Sequence, residues 1–108
     1  MIVAGRTLLV LGALCAAPVT MAADYHATIE KLTRDLPRDA ADFIVRRIDC
    51  NHWAGEEATD QERGKQIKDA VDKLKCRTLE DDERVLRRNY ADNPKVLRSL
   101  EEARSVEF

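Results

Sequence analysis

Two cysteines, Cys50 and Cys76, stand in the body of a chain whose first residues read as an export leader. Arg6 gives a short positive start, and Thr7 to Val19 is apolar apart from Gly12 and Pro18. Thr20-Met21-Ala22 then places small residues where a leader-processing enzyme looks for them. An apolar run of about 13 residues falls short of the roughly 20-residue helix that crosses a bilayer. Residues 1–23 are therefore predicted to be a signal peptide cut after Ala22 or Ala23, leaving residues 24–108 as a single helical domain with no stable membrane span. Cys15 would carry a lipid only with a leucine upstream and a small residue directly before it, and Gly12-Ala13-Leu14 does not have that order.

Removal of the leader takes Cys15 away and leaves an even pair in an oxidising compartment, the setting in which thiols join. A bridge from Cys50 to Cys76 would enclose 25 residues. Loop-closure entropy puts its contribution at roughly 3–4 kcal/mol, a large share for a body of this size, because small domains have modest cores. The separation is not a zinc pattern, and no Cys-x-x-Cys points to redox catalysis. Loss of Arg6 leaves 17 of the 18 basic residues against 20 acidic ones, a balance of −3. Charged residues make up 35% of the chain with both signs interspersed, which describes a solvated surface. No basic face of the size nucleic acid demands is present in that pattern.

Hydrophobic spacing predicts an all-α fold of four or five short helices. Tyr25, Ile29, Leu32 and Leu36 form one helical stripe that ends against Pro37. Asp39 is placed to cap a second helix carrying Phe43, Ile44, Ile48 and Cys50 inward, and Gly55 to stop it in a left-handed conformation. Thr59-Asp60-Gln61-Glu62 has the form of a capping box, opening a helix that turns Ile67, Ala70, Val71 and Leu74 to the core. Thr78-Leu79-Glu80-Asp81 repeats the start signal, with Leu79, Val85, Leu86 and Tyr90 as the apolar side. Asn93-Pro94 marks the last start, ahead of Val96, Leu97 and Leu100. Val106 and Phe108 are left to tuck against the body or fray.

The one chemically unusual run is Cys50 to Glu57. His52 and Glu56 are four apart, and Asp49 precedes His52 by three, a set of donors that suits a divalent metal such as zinc or copper. A glycine at position 55 would end the helix and carry Glu56 off that face. The plainer arrangement packs His52 and Trp53 over the disulfide, with Glu56 capping the next turn. Trp53 would be a binding anchor if exposed and core if buried. Arg46-Arg47 and Arg87-Arg88 are basic doublets that would grip an anionic partner if they converge. No catalytic set stands out: Ser99 and Ser105 are the only serines, and neither lies in a nucleophile motif. Adjacent acids such as Asp81-Asp82 and Glu56-Glu57 fit charged helix starts.

Taken together, Cys50-x-His52-Trp53-x-Gly55-Glu56, then Cys76, then Arg88-Asn89-Tyr90-x-x-Asn93-Pro94 resembles a group of small exported proteobacterial proteins of unknown function. The likeness covers roughly residues 43–101 and implies residence in a Gram-negative periplasm and a disulfide-pinned helical fold. It implies no activity. Cys76, Leu79, Asp82, Leu86 and Tyr90 also run similarly to a segment of the small lysozyme-inhibitor family, without that family's Leu-Asn before the tyrosine. That likeness implies inhibition of a cell-wall lytic enzyme. The expectation is a periplasmic, non-enzymatic module without a cofactor that binds an envelope protein or polymer through His52, Trp53, Glu56 and the arginine doublets.

Overall fold

A proline and an aspartate set the first corner of this molecule. The computed structural model describes residues 21–108, with Gly5 and Gly12 as the other described positions. The expected leader thus lies outside the described residues except for those two glycines and its last three residues, which open the first helix, and Cys15 lies outside them. Helix α1 spans Met21–Thr33 and stops three residues before the predicted end. Pro37 disfavours helical geometry at Leu36, and Asp35 instead turns the chain in the left-handed region at φ 59°. Asp tolerates that region better than most residues because its short side chain bonds locally. Leu36 still packs against the core, but from the turn rather than the helix.

Helix α2, Arg38–Ala54, is the organiser: it packs against α1 and against the three later helices, α3 (Gln61–Leu74), α4 (Leu79–Asn89) and α5 (Pro94–Ala103). The fold is therefore all-α, five helices with no strand among the described residues. Pro37, not Asp39, occupies the cap position of α2. Asp39 sits inside the first turn, where a negative charge suits the helix dipole and where its carboxylate accepts from the Ala40 N–H at 2.9 Å and the Tyr90 hydroxyl at 2.6 Å. Gly55 ends α2 with φ −87°, an ordinary right-handed value, so no left-handed glycine is involved. The left-handed stop belongs to Lys75, φ 54°, at the end of α3.

The start of α3 also shifts by one residue. Asp60 caps it, accepting from the Arg63 N–H at 2.7 Å, and Thr59 lies outside. No side chain of α3 is fully buried: Ile67, Ala70, Val71 and Leu74 are half-buried, so the helix lies along the margin of the core. Its tether is covalent. Cys50 of α2 and Cys76, in the 3₁₀ turn Cys76–Thr78, form a disulfide with Cα atoms 5.7 Å apart. Thr78 does not cap α4 through its side chain, and its hydroxyl donates to Asp82 at 2.9 Å instead. Asn93 does cap α5, accepting from the Val96 N–H at 3.2 Å, with Pro94 as first helical residue.

The core gathers Leu32, Ala40, Phe43, Ile44, Ile48, Leu79, Leu86, Val96, Leu100 and Ala103 with the Cys50 sulfur. Val85, expected inward, is 45% exposed. The inward position that replaces it is Glu83, only 1% exposed. It lies four residues after Leu79 and three before Leu86, so the buried stripe of α4 contains a carboxylate. Val106 and Phe108 tuck against the body rather than fray. No helix among the described residues is long and apolar enough to cross a membrane.

Candidate functional site

Successive residues of a helix point about 100° apart, so the last turn of α2 fans Asn51, His52 and Trp53 in three directions. Asn51 reaches the end of α5. Its side-chain amide donates to the carbonyls of Ala103 at 2.9 Å and Val106 at 3.0 Å. This satisfies acceptors that a helix end leaves open and folds the residues after α5 back over α2. Phe108 thereby comes to rest beside His52, whose Nδ1 lies 3.1 Å from the Phe108 carbonyl.

On its other nitrogen His52 approaches Glu56, with Nε2 and Oε1 3.3 Å apart. The helix ends at Ala54, as a glycine at position 55 led one to expect, but Gly55 keeps a right-handed φ of −87° and the Glu56 N–H donates to the Trp53 carbonyl at 3.3 Å, so Glu56 is not carried away from His52. Glu56 is shared with Arg63 of α3, which donates to its second oxygen at 2.8 Å. That hydrogen bond holds the Glu56 carboxyl below its usual range, against a smaller opposing effect of burial. Glu56 thus engages a guanidinium rather than a helix-start amide, which Asp60 already serves. The Arg63 guanidinium lies over the Trp53 ring at 5.3 Å, and the His52 ring meets Trp53 edge-on at 5.5 Å. Trp53 is half-buried. A cleft of about 370 Å³ opens here, lined by Asn51, His52, Glu56 and Phe108 among others.

Asp49 faces away from this cleft. Its Oδ1 accepts from the Tyr25 hydroxyl of α1 at 2.7 Å. Burial, with the hydrogen bond and charge of Asp49, pushes the Tyr25 phenol up to about 12. The proposed metal set of Asp49, His52 and Glu56 is therefore divided: His52 and Glu56 meet, while Asp49 is committed to Tyr25. Among the described residues no three His, Cys, Asp or Glu side chains converge to hold an ion.

The arginine doublets do not converge as a grip. Arg46 donates to the Leu74 and Lys75 carbonyls at 2.6 and 2.8 Å and to Asp82 at 2.8 Å, closing the end of α3 onto α2. Arg46 and Thr78 hold the Asp82 carboxyl below its usual range. Arg47, 7% exposed, pairs with Glu80 at 3.0 Å and Glu83 at 3.3 Å. Arg87 bonds Glu83 and Glu101, both at 3.0 Å, and Arg104 joins Glu83 from the end of α5. Burial raises the Glu83 carboxyl pKa, but the hydrogen bonds from Arg104 and Arg87 and the charges of Arg104 and Arg47 outweigh it and leave the group below its ordinary value. Of the four doublet arginines only Arg88 is exposed, lining a shallow hollow of about 420 Å³ with Arg84 and Arg87.

Arg63, Tyr25, Asn51 and Phe108 were not singled out as site residues in the sequence. They come from four separate segments, and only the folded body brings them to one end of α2. The fold and this cluster define a small, disulfide-pinned helical protein with a polar-aromatic surface at the end of α2. No protein-family model matches the chain, and no curated protein or solved structure matches it.

Proposed function

We propose that the protein is an exported, non-enzymatic helical module of a Gram-negative periplasm that binds another component of the cell envelope, an envelope protein or polymer. The contact surface is the end of α2, with Trp53 as anchor and Arg63, Glu56 and His52 around it. The observation that carries this reading is the half-buried Trp53 with Arg63 stacked on its face and Glu56 holding Arg63 in place. Tryptophan and arginine dominate the energetics of binding surfaces, and side chains already fixed by neighbours lose less freedom on association.

Three further observations support it. The disulfide fits an oxidising compartment. The resemblance to small exported proteobacterial proteins runs through these same residues, Cys50 to Glu56. Arg46, Arg47 and Arg87 are consumed inside the body, which leaves the Trp53 end as the better-formed surface.

The test is capture from a periplasmic extract on immobilised protein, followed by a titration with the recovered component. Trp53→Ala and Arg63→Ala are expected to lose that component while keeping the wild-type helical spectrum. Recovery of the same components at the same affinity by Trp53→Ala would remove this surface from consideration.

A further inference from the structure

A second, smaller cleft of about 210 Å³ lies on the other side of His52 and is lined by Ala22, Tyr25, Asp49, His52 and Phe108. Three of its five lining side chains are aromatic, one is a carboxylate, and none is a lysine or arginine. The Tyr25 and Phe108 rings meet edge to face, with centroids 5.4 Å apart and planes at 66°. Rings set at such an angle form two walls of a corner rather than a flat stack. Tyr25 fixes Asp49 at Oδ1, and no second hydrogen bond from the described residues occupies Asp49. The Tyr25 phenol keeps its proton, its pKa pushed up to about 12 by burial and by Asp49.

Aromatic faces carry negative charge density, and a cation placed over them is attracted all the more when water is kept out. An adjacent carboxylate adds a direct charge partner, and apolar walls favour a cation bearing methyl groups over a strongly hydrated metal ion. The geometry points to a site for a small organic cation, a quaternary ammonium head, seated in the corner that the Tyr25 and Phe108 rings form, with Asp49 and His52 beside it. The surface proposed for the envelope partner shares His52 with this cleft, and Tyr25, Asp49 and Phe108 belong to the cleft alone. Cleavage of the expected leader after Ala22 or Ala23 would remove Ala22 from the lining and leave Tyr25, Asp49, His52 and Phe108.

The test uses the oxidised chain and follows amide and aromatic NMR shifts on titration with tetramethylammonium, choline and a neutral tert-butyl alcohol of similar shape. Saturable shifts at Tyr25, His52 and Phe108 are expected with both cations, at least about tenfold tighter than with the neutral alcohol, the scale of a desolvated cation–π contact plus a charge partner. Phe108→Leu and Asp49→Asn should each weaken choline by a measurable factor, and Tyr25→Phe, which keeps the ring, should weaken it less than Tyr25→Leu. Phosphatidylcholine vesicles form the second arm. Co-sedimentation that choline displaces identifies a lipid headgroup as the source, and binding of choline without the vesicles identifies a free solute. Equal affinity for the neutral alcohol, absent shifts with both cations, or unchanged binding in Phe108→Leu would overturn the assignment. Should Asp49→Asn fail to fold, the comparison of charged and neutral ligands on the wild-type chain still decides it.

Discussion

Replacing Glu83 by glutamine removes one negative charge from the best-buried ionic site in the molecule while keeping its shape. Glu83 is 1% exposed and receives Arg87 at 3.0 Å, Arg47 at 3.3 Å and the Arg104 guanidinium. Deleting one partner of a buried pair typically costs about 3–5 kcal/mol, because the remaining charge stays buried without compensation. Arg87 and Arg104 are 34% and 42% exposed and can turn to water, whereas Arg47 cannot. The expected loss therefore falls near the lower end, about 3 kcal/mol. Set against the 5–15 kcal/mol typical of a small domain, this lowers the melting temperature by roughly 12–24 °C.

Thermal and urea unfolding of the oxidised protein, followed by circular dichroism, measures the loss. The pH dependence adds a sign. A carboxyl held below its ordinary value of 4.5 contributes stability that is present above that value and is lost as pH falls through the folded-state value. Wild type and Glu83→Gln should differ most near neutrality and converge in acid. A loss below about 1 kcal/mol, the scale of a surface ion pair, or a gap that persists in acid, would refute the argument. In a double-mutant cycle, Arg47→Met should cost less in the Glu83→Gln background than alone, since one of its two partners is already gone and only Glu80 remains.

Reduction of the Cys50–Cys76 bridge is expected to lower stability by roughly 3–4 kcal/mol, with hydrogen exchange rising first in α3, the helix without a fully buried side chain; equal protection in both redox states would contradict this. Lys75 holds φ 54°, which costs a non-glycine residue about 1–2 kcal/mol, so Lys75→Gly should stabilise the protein in urea denaturation by up to about 1 kcal/mol, and a clear loss would show that the Lys75 side chain does more than tolerate the turn. Tyr25 ionises near 12 when folded and near 10.0 otherwise; its raised value contributes stability that is intact below the unfolded value and lost as pH rises through the folded one. Ultraviolet titration should show both tyrosines ionising above the ordinary value, since Asp39 accepts from Tyr90 as Asp49 does from Tyr25, and Tyr25→Phe should abolish the later of the two steps.

The helices were largely legible in the sequence because apolar spacing and the Asn93-Pro94 start are local signals, and the pairing of Cys50 with Cys76 followed from counting thiols. Helix ends were less legible. Thr59, Asp60, Thr78 and Asp39 are all competent caps, and which one serves depends on where the preceding turn delivers the chain. The left-handed stop at Lys75 had no glycine to announce it. Glu83 was visible only as a carboxylate in phase with Leu79 and Leu86, a pattern that acquires meaning once Arg47 of α2 and Arg104 from the end of α5 join Arg87, one turn further along α4. The same holds for the site: His52, Trp53 and Glu56 are neighbours in sequence, whereas Arg63 and Tyr25 come from α3 and α1, and Phe108 arrives where Asn51 folds the end of the chain back.

That fold-back has a practical side. With Phe108 forming a wall of both clefts, any peptide joined after it emerges at their common rim. An affinity handle attached there would plug the openings it was meant to help study. The outward face of α3, where Lys65 and Asp69 point to solvent, is the better anchorage for immobilising or labelling the protein.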